Sequence, residues 1–222
     1  MYPFTYFKDK DTDAVLLFMH QHPFVCITGS FLSGALVATH IPVLLEERNG
    51  EIYLQGHIMR NTDHHKAFEE NNQVLVIYNG PHCYVSASWY TNPQIGSTWN
   101  YMTVHVHGKI NWMSNHELVS FMKKLTLTFE NGDTTSPTTF ERLPATFLDK
   151  MLPAIVGFEI KIERLEHVFK LSQNRDEGSY DNIIKKLEEK GGESAAVATE
   201  MRQRKATLFP EGEVWDPDRF DS

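Results

Sequence analysis

The chain has 222 residues, 41% of them hydrophobic and 23% charged, and a formal net charge of −8. That length suits one large domain, or one domain with a helical appendage, and the composition supports a sizeable core. The acidic balance repels nucleic-acid phosphates unless positive groups gather on one face, and the longest early apolar run, residues 15–19, is far too short to span a bilayer.

In chain order, residues 1–8 lack the basic and apolar regions of a secretory signal, so none is expected. Thr12 precedes a helical pattern over 13–20 that Pro23 stops. Residues 24–28 predict a short strand and 35–46 a second one, with Pro42 marking an edge or bulge. Asn49-Gly50 is the strongest hairpin signal and joins that strand to 51–59. A short helix is expected over 62–71, then two strands, 73–79 and 82–90, around Gly80-Pro81. Residues 103–112 alternate, placing Val104, Val106, Gly108, Ile110 and Trp112 on one face. Ser114 and Glu117 form a capping box for a helix reaching about Phe129, and Pro144 starts another. Alternation returns over 155–165, and charged helical patterns follow over 181–190 and 193–204, separated by Gly191-Gly192, before an acidic tail. About seven antiparallel strands with helices between and after them predict a mainly β fold with α decoration, a small Greek-key-like barrel.

Chemistry concentrates between Gly80 and Gly108, where Trp89, Tyr90, Trp99 and Tyr101 alternate with hydroxyls, Asn100 and imidazoles. A flat conjugated ligand can stack on such rings while its heteroatoms take hydrogen bonds. A hairpin with cross-strand aromatic pairs would read the same way. Gly56-His57-Ile58-Met59-Arg60-Asn61 ends one strand just before a helix, and a glycine, a helix start and an arginine together suit a phosphate. A plain strand-to-helix turn with a surface arginine is the alternative. Thr39-His40-Ile41-Pro42 lies mid-strand, so Thr39 and His40 point to opposite faces. The 11 histidines show no metal-ligand spacing, and no GxSxG, Walker or GxGxxG motif occurs, which leaves structural zinc, hydrolase and kinase readings without support. Lysines and arginines over 185–205 interleave with glutamates, the pattern of a solvated helix rather than a DNA-binding face. Cys26 and Cys83 are read as free buried thiols in a reducing cytoplasm.

Together, Ala38-Thr39-His40-Ile41-Pro42, Gly56-His57, Gly80-Pro81-His82, Ser88-Trp89-Tyr90, Trp99-Asn100-Tyr101, Val104-His105-Val106-His107-Gly108, Gly157-Phe158-Glu159-Ile160 and Lys170-Leu171-Ser172-Gln173-Asn174-Arg175 give the chain its resemblance to the FMN-binding negative transcriptional regulators of the PaiB type. These motifs occur in order through nearly the whole chain. The resemblance implies a split β-barrel over 1–175 with a C-terminal helical extension over 176–222 belonging to the same domain. It also implies a homodimer with FMN between the subunits. By position, Thr39, His40 and Ile41 would border the isoalloxazine, and Gly56, His57, Arg60 and Asn61 would hold the phosphate. Trp99, Asn100 and Tyr101 would come from the partner subunit, with Gln173 and Arg175 closing the site. The richer Arg/Lys phosphate motif of pyridoxamine oxidases is absent.

The function implied is negative regulation of protease or sporulation-type genes. The acidic charge and the missing DNA-binding motif point to an indirect or redox-linked effect rather than direct DNA binding. A second reading is an FMN-dependent oxidoreductase acting on a small substrate, with the cofactor carrying the chemistry. A third is haem binding, because related split barrels bind haem and histidine is abundant here.

Overall fold

Residues 1–210, apart from Pro3 and Lys10, are described by a computed structural model of the chain. Seven strands form one sheet: β1 (Phe24–Ser30), β2 (Leu36–Pro42), β3 (Leu44–Arg48), β4 (Glu51–Met59), β5 (Gln73–Val85), β6 (Thr98–Trp112) and β7 (Ile155–Lys170). Their order is β2-β1-β5-β6-β7-β4-β3. The pairs β1–β2, β1–β5, β3–β4 and β4–β7 are antiparallel. The six α-helices of the described residues are α1 (Thr12–Gln21), α2 (Asp63–Glu70), α3 (Asn115–Phe129), α4 (Ala145–Met151), α5 (Glu177–Lys190) and α6 (Gly192–Leu208). The fold is mainly β with α decoration, as the alternation predicts.

Two compact units are formed. Residues 11–79 and 104–166 make one, termed here the hairpin unit. Residues 1–10, 80–103 and the chain from 167 onward make the other, the C-terminal unit. Strands β5, β6 and β7 each contribute residues to both.

In the hairpin unit, Asn49 and Gly50 both take positive φ, 55° and 75°, which is what a tight two-residue turn between twisted strands demands. The alternation of β4, β6 and β7 buries Leu54, Ile58, Val104, Val106, Phe158 and Ile160. Each such side chain removed from water contributes roughly 1.5–3 kcal/mol before entropy is counted. Gly108 is compulsory here, because a Cβ would stand 2.3 Å from the Lys161 carbonyl oxygen. Helix α3 starts at the expected capping box, with Ser114 and Glu117 satisfying each other's backbone groups. It packs Leu118, Phe121 and Leu125 with Ile155.

In the C-terminal unit, α5 packs on α6 through Tyr180, Ile183, Ile184 and Leu187 against Val197, Ala198 and Met201, all buried. The Tyr180 hydroxyl donates to the Met201 carbonyl at 2.9 Å. Four of their basic residues are spent on carboxylates: Lys186 on Glu189, Arg202 on Glu188, Lys205 on Glu177 and Asp181, and Arg204 on Glu200; Lys190 lies over the Trp89 ring instead. Cys83 is buried, and burial pushes its thiol up to about 11; Cys26 is half-buried and also raised by burial. Both are free thiols.

Several sequence expectations need correction. The cap of α1 is Asp11, whose carboxylate accepts the Asp13 N–H at 2.9 Å, so Thr12 enters the helix. The strand expected over 35–46 is broken at Val43, whose N–H turns to the Pro23 carbonyl, leaving separate β2 and β3. Gly80-Pro81 does not end a strand: β5 runs through it to Val85, and residues 87–89 form a 3-10 turn. The β1 register on β5 covers only Leu75–Ile77, so Pro81 lies beyond that pairing. Long-range pairing also carries β6 back to Thr98 and β7 forward to Lys170. The expected acidic tail lies outside the described residues. Among the described residues, no helix is long and apolar enough to cross a membrane.

Candidate functional site

Seven of the residues implied by the resemblance lie in the hairpin unit. Register pairs Thr39 with Ile27 and Ile41 with Val25, which puts both on the core side of β2; Ile41 is buried and Thr39 half-buried. His40 points the other way, opposite Cys26, and its ring lies 6.2 Å from Phe24 and nearly parallel to it. That outer face also carries Leu36, 86% exposed, and Phe24, 63% exposed.

Gly56 is buried, and a Cβ there would stand 2.5 Å from Phe158, so its missing side chain makes room for a core ring. His57 points to the opposite face of β4, with its ring 6.1 Å from that of Phe121. Its Nδ1 is buried without a hydrogen-bond partner, and desolvation holds the ring below the usual histidine range. Arg60 donates its backbone N–H to the Ala154 carbonyl, and its guanidinium has no carboxylate partner among the described residues. Asn61 is exposed with φ of 65°, and its N–H donates to His65 Nδ1 at 3.3 Å. The helix start beside it is capped by Thr62 and already carries the Asp63 carboxylate, which weakens it as an anion seat.

The other five lie in the C-terminal unit. Trp99 is 54% exposed, with His82 and Tyr84 each 6.2 Å away between ring centroids. Asn100 is fully buried: its Oδ1 accepts the Ser172 hydroxyl at 3.0 Å and its Nδ2 reaches Met201 Sδ at 3.5 Å. Tyr101 is half-buried, and burial raises its phenol. Gln173 folds back on its own turn. Its Oε1 accepts the Leu171 N–H at 2.7 Å, and its Nε2 donates to the Phe169 carbonyl. Arg175 lays its guanidinium 4.4 Å above the Tyr90 ring.

Asn100 and Gln173 therefore hold the turn at 170–175 in shape, whereas Trp99 and Arg175 present surface to a ligand. Arg175 Nε and the Tyr90 hydroxyl are both buried without a hydrogen-bond partner. In sequence, Tyr90 reads as a stacking ring, but Lys170 and Thr98 carry no role in this cluster. The available signal was two cations five positions apart with no acidic residue between them.

A cleft of about 400 Å³ in the hairpin unit is a weaker candidate. Its charges are already matched, Arg48 with Glu159 and Lys124 with Glu46, and Glu117 is held by the capping box.

Comparison with known proteins gives a family and a fold. Residues 1–164 match the family described as "Putative FMN-binding domain". The chain is 32% identical over 207 residues to the Protease synthase and sporulation protein PAI 2 of Bacillus subtilis, covering 92% of this chain and 98% of that one. It is 28% identical over 204 residues to an uncharacterized protein of Emericella nidulans, covering 75% of this chain and 81% of the other. Among solved structures, the FAD and heme binding protein of Mycobacterium smegmatis aligns with a TM-score of 0.54 at 16% identity, covering 73% of this chain and 72% of that one. The flavocytochrome Anf3 of Azotobacter vinelandii also gives 0.54 at 16% identity, over 82% and 78% of the two chains. These likenesses establish the split-barrel fold.

Proposed function

The chain belongs to this FMN-binding domain family and FMN is its cofactor; from that premise we propose that it works as a homodimeric PaiB-type flavoprotein that lowers gene expression indirectly, through the redox state of its flavin. The observation that carries this reading is the breadth of the match to the Bacillus subtilis protein, which spans 98% of that relative. FMN, when bound, supplies one- and two-electron transfer.

The residues of this chain fit such a group. Trp99, exposed and flanked by His82 and Tyr84, offers a face on which a flat ring stacks. Two buried polar atoms, Tyr90 Oη and Arg175 Nε, await a polar ligand. Indirect action is supported by the C-terminal helices, where Lys186, Arg202, Arg204 and Lys205 are paired with carboxylates rather than gathered into a basic stripe. Dimer formation is supported by the outer face of β1 and β2, where Leu36 and Phe24 stand in solvent beside Ala38 and half-buried Cys26. A second copy covers that face most simply, because a two-fold axis sets its exposed Leu36 and Phe24, with His40, Thr28 and Ser30 between them, against the same patch.

The test is the visible spectrum of the freshly purified protein, followed by anaerobic NADH titration and a promoter-binding assay. A flavin spectrum untouched by NADH, a dimer by light scattering and no tight promoter complex support the proposal. Rapid bleaching by NADH makes a reductase the better reading. Tight promoter binding with a steep salt slope overturns the indirect mode.

A further inference from the structure

The turn at 170–175 carries two positive side chains that nothing in the described chain neutralises. Lys170 donates to the Thr98 hydroxyl, and its ammonium lies 5.8 Å from the Tyr2 ring and 5.9 Å from the Phe7 ring. Arg175 sits over Tyr90. Neither has a carboxylate partner among the described residues, although this chain carries more acidic than basic side chains. The nearest acidic residue along the chain is Asp176, whose carboxylate turns to neutral donors and pairs with neither cation. Its Oδ1 accepts the Ser179 N–H at 2.9 Å, and its Oδ2 accepts the Ser179 and Thr91 hydroxyls at 2.7 and 3.0 Å. Glu177, next in line, pairs with Lys205.

Lys170 and Arg175 stand half-buried at the two ends of one turn, and like charges so placed are costly unless an anion joins them. The strain registers on Lys170, whose ammonium is pushed below its ordinary value first by burial and then by the Arg175 guanidinium. The geometry adds an independent sign. The Tyr90 side chain is only 6% exposed, yet its hydroxyl has no partner, and the same is true of Arg175 Nε against the same ring. Buried donors are almost always satisfied, so two orphans in one contact mark a place where a ligand supplies the acceptors.

The backbone here is also built to hold still. Ser172 takes φ of 64° while its hydroxyl is fixed to buried Asn100, and Gln173 closes the turn on both sides. The charged side chains thus keep no carboxylate partner among the described residues while the turn that carries them is braced.

We propose that Lys170 and Arg175, with the Thr98 and Tyr90 hydroxyls beside them, form an anion seat for a phosphate monoester. The guanidinium supplies a fork for two phosphate oxygens and the ammonium a point charge for the third. The phosphate is either that of FMN itself or that of a second phosphorylated ligand. The first source rests on FMN as the cofactor; the seat itself does not.

The test titrates inorganic phosphate into the full chain, followed by phosphorus NMR or calorimetry, and separately compares FMN with riboflavin. Native protein, Lys170→Gln, Arg175→Gln and the charge-keeping Lys170→Arg are compared, with circular dichroism to check folding. Loss of phosphate affinity by about tenfold or more in both Gln variants, with retention in Lys170→Arg, supports the seat. If the preference for FMN over riboflavin falls toward unity in those variants, the FMN phosphate is the occupant. If that preference survives while FMN-loaded native protein still takes up phosphate and the variants do not, the occupant is a second ligand. Gln variants that bind phosphate and prefer FMN as strongly as native protein overturn the proposal, as does a native chain that does neither. A chain that binds no flavin sinks the cofactor reading, while the phosphate titration still decides the seat. Should Lys170→Gln fail to fold, Lys170→Met takes its place, since it removes the charge and keeps the contacts to Tyr2 and Phe7.

Discussion

The turn at 56–61 and the turn at 170–175 look alike in sequence and behave differently in structure. Each follows a long strand, precedes a helix, carries an arginine, and holds one residue other than glycine at positive φ, Asn61 at 65° and Ser172 at 64°. In the first turn, Asn61 is exposed and its N–H is satisfied by His65 from the next helix, while Asp63 supplies a carboxylate at the helix start. In the second, Ser172 is buried, side chains of the turn satisfy its own backbone, and the neighbouring carboxylate is consumed by capping. The lesson is that a turn's capacity for ligands depends on which donors stay unspent once the backbone is satisfied. Counting arginines and glycines in the sequence misses this.

That contrast can be broken most sharply at Gln173. Replacing it with Ala removes both bonds that close the second turn and leaves the N–H of buried Leu171 without an acceptor. A loss of about 2 kcal/mol is expected in urea unfolding; a change near zero would mean that the turn is braced elsewhere. Ser172→Gly comes next. Glycine suits φ of 64°, but the buried Asn100 Oδ1 loses its donor, so a net loss of about 1 kcal/mol is expected.

A shallower effect comes from acid, and it tests a feature common to both units. His65 Nδ1 accepts the Asn61 N–H, and His167 Nε2 accepts the Asp9 N–H at 2.8 Å. Burial lowers both rings, so the folded chain binds these protons less readily than the unfolded chain. The unfolded state therefore holds more protons below the ordinary histidine value of about 6.5, and stability falls as the pH drops through that value toward the folded ones. Urea midpoints at about pH 7.5 and about pH 5.5 measure this, and His167→Gln, which cannot titrate, should lessen the drop. The smallest change is expected for Asn61→Gly, within about 0.5 kcal/mol, because the side chain is exposed and glycine accepts its φ. A loss comparable to that of Ser172→Gly would erase the distinction between the turns.

Local rules made much of the hairpin unit legible. Asn49-Gly50, the Ser114–Glu117 box and the alternation of Val104, Val106 and Ile110 are each fixed by neighbours within a few residues, and each stands as expected. What could not be read locally is the continuation of β5 through Gly80-Pro81 or of β7 to Lys170, where sheet pairing overrides a breaker or a polar run. The candidate site divides in the same way. Trp99 and Arg175 were visible as chemical types. The internal duties of Asn100 and Gln173 were not, because they depend on contacts with Ser172, Met201 and the Leu171 backbone. Lys170 has no role in the sequence reading because the acid-free run from 170 to 175 shows only that no carboxylate is adjacent to it, whereas the fold decides which distant carboxylates come near.

Cys83 carries a consequence measured in time rather than energy. With its thiol pushed up to about 11, only on the order of one thiol in ten thousand is ionised at neutral pH, and burial withholds even that fraction from reagents. An alkylating agent marks this sulfur only while β5 is open, so the labelled fraction keeps a running record of how often that strand frays.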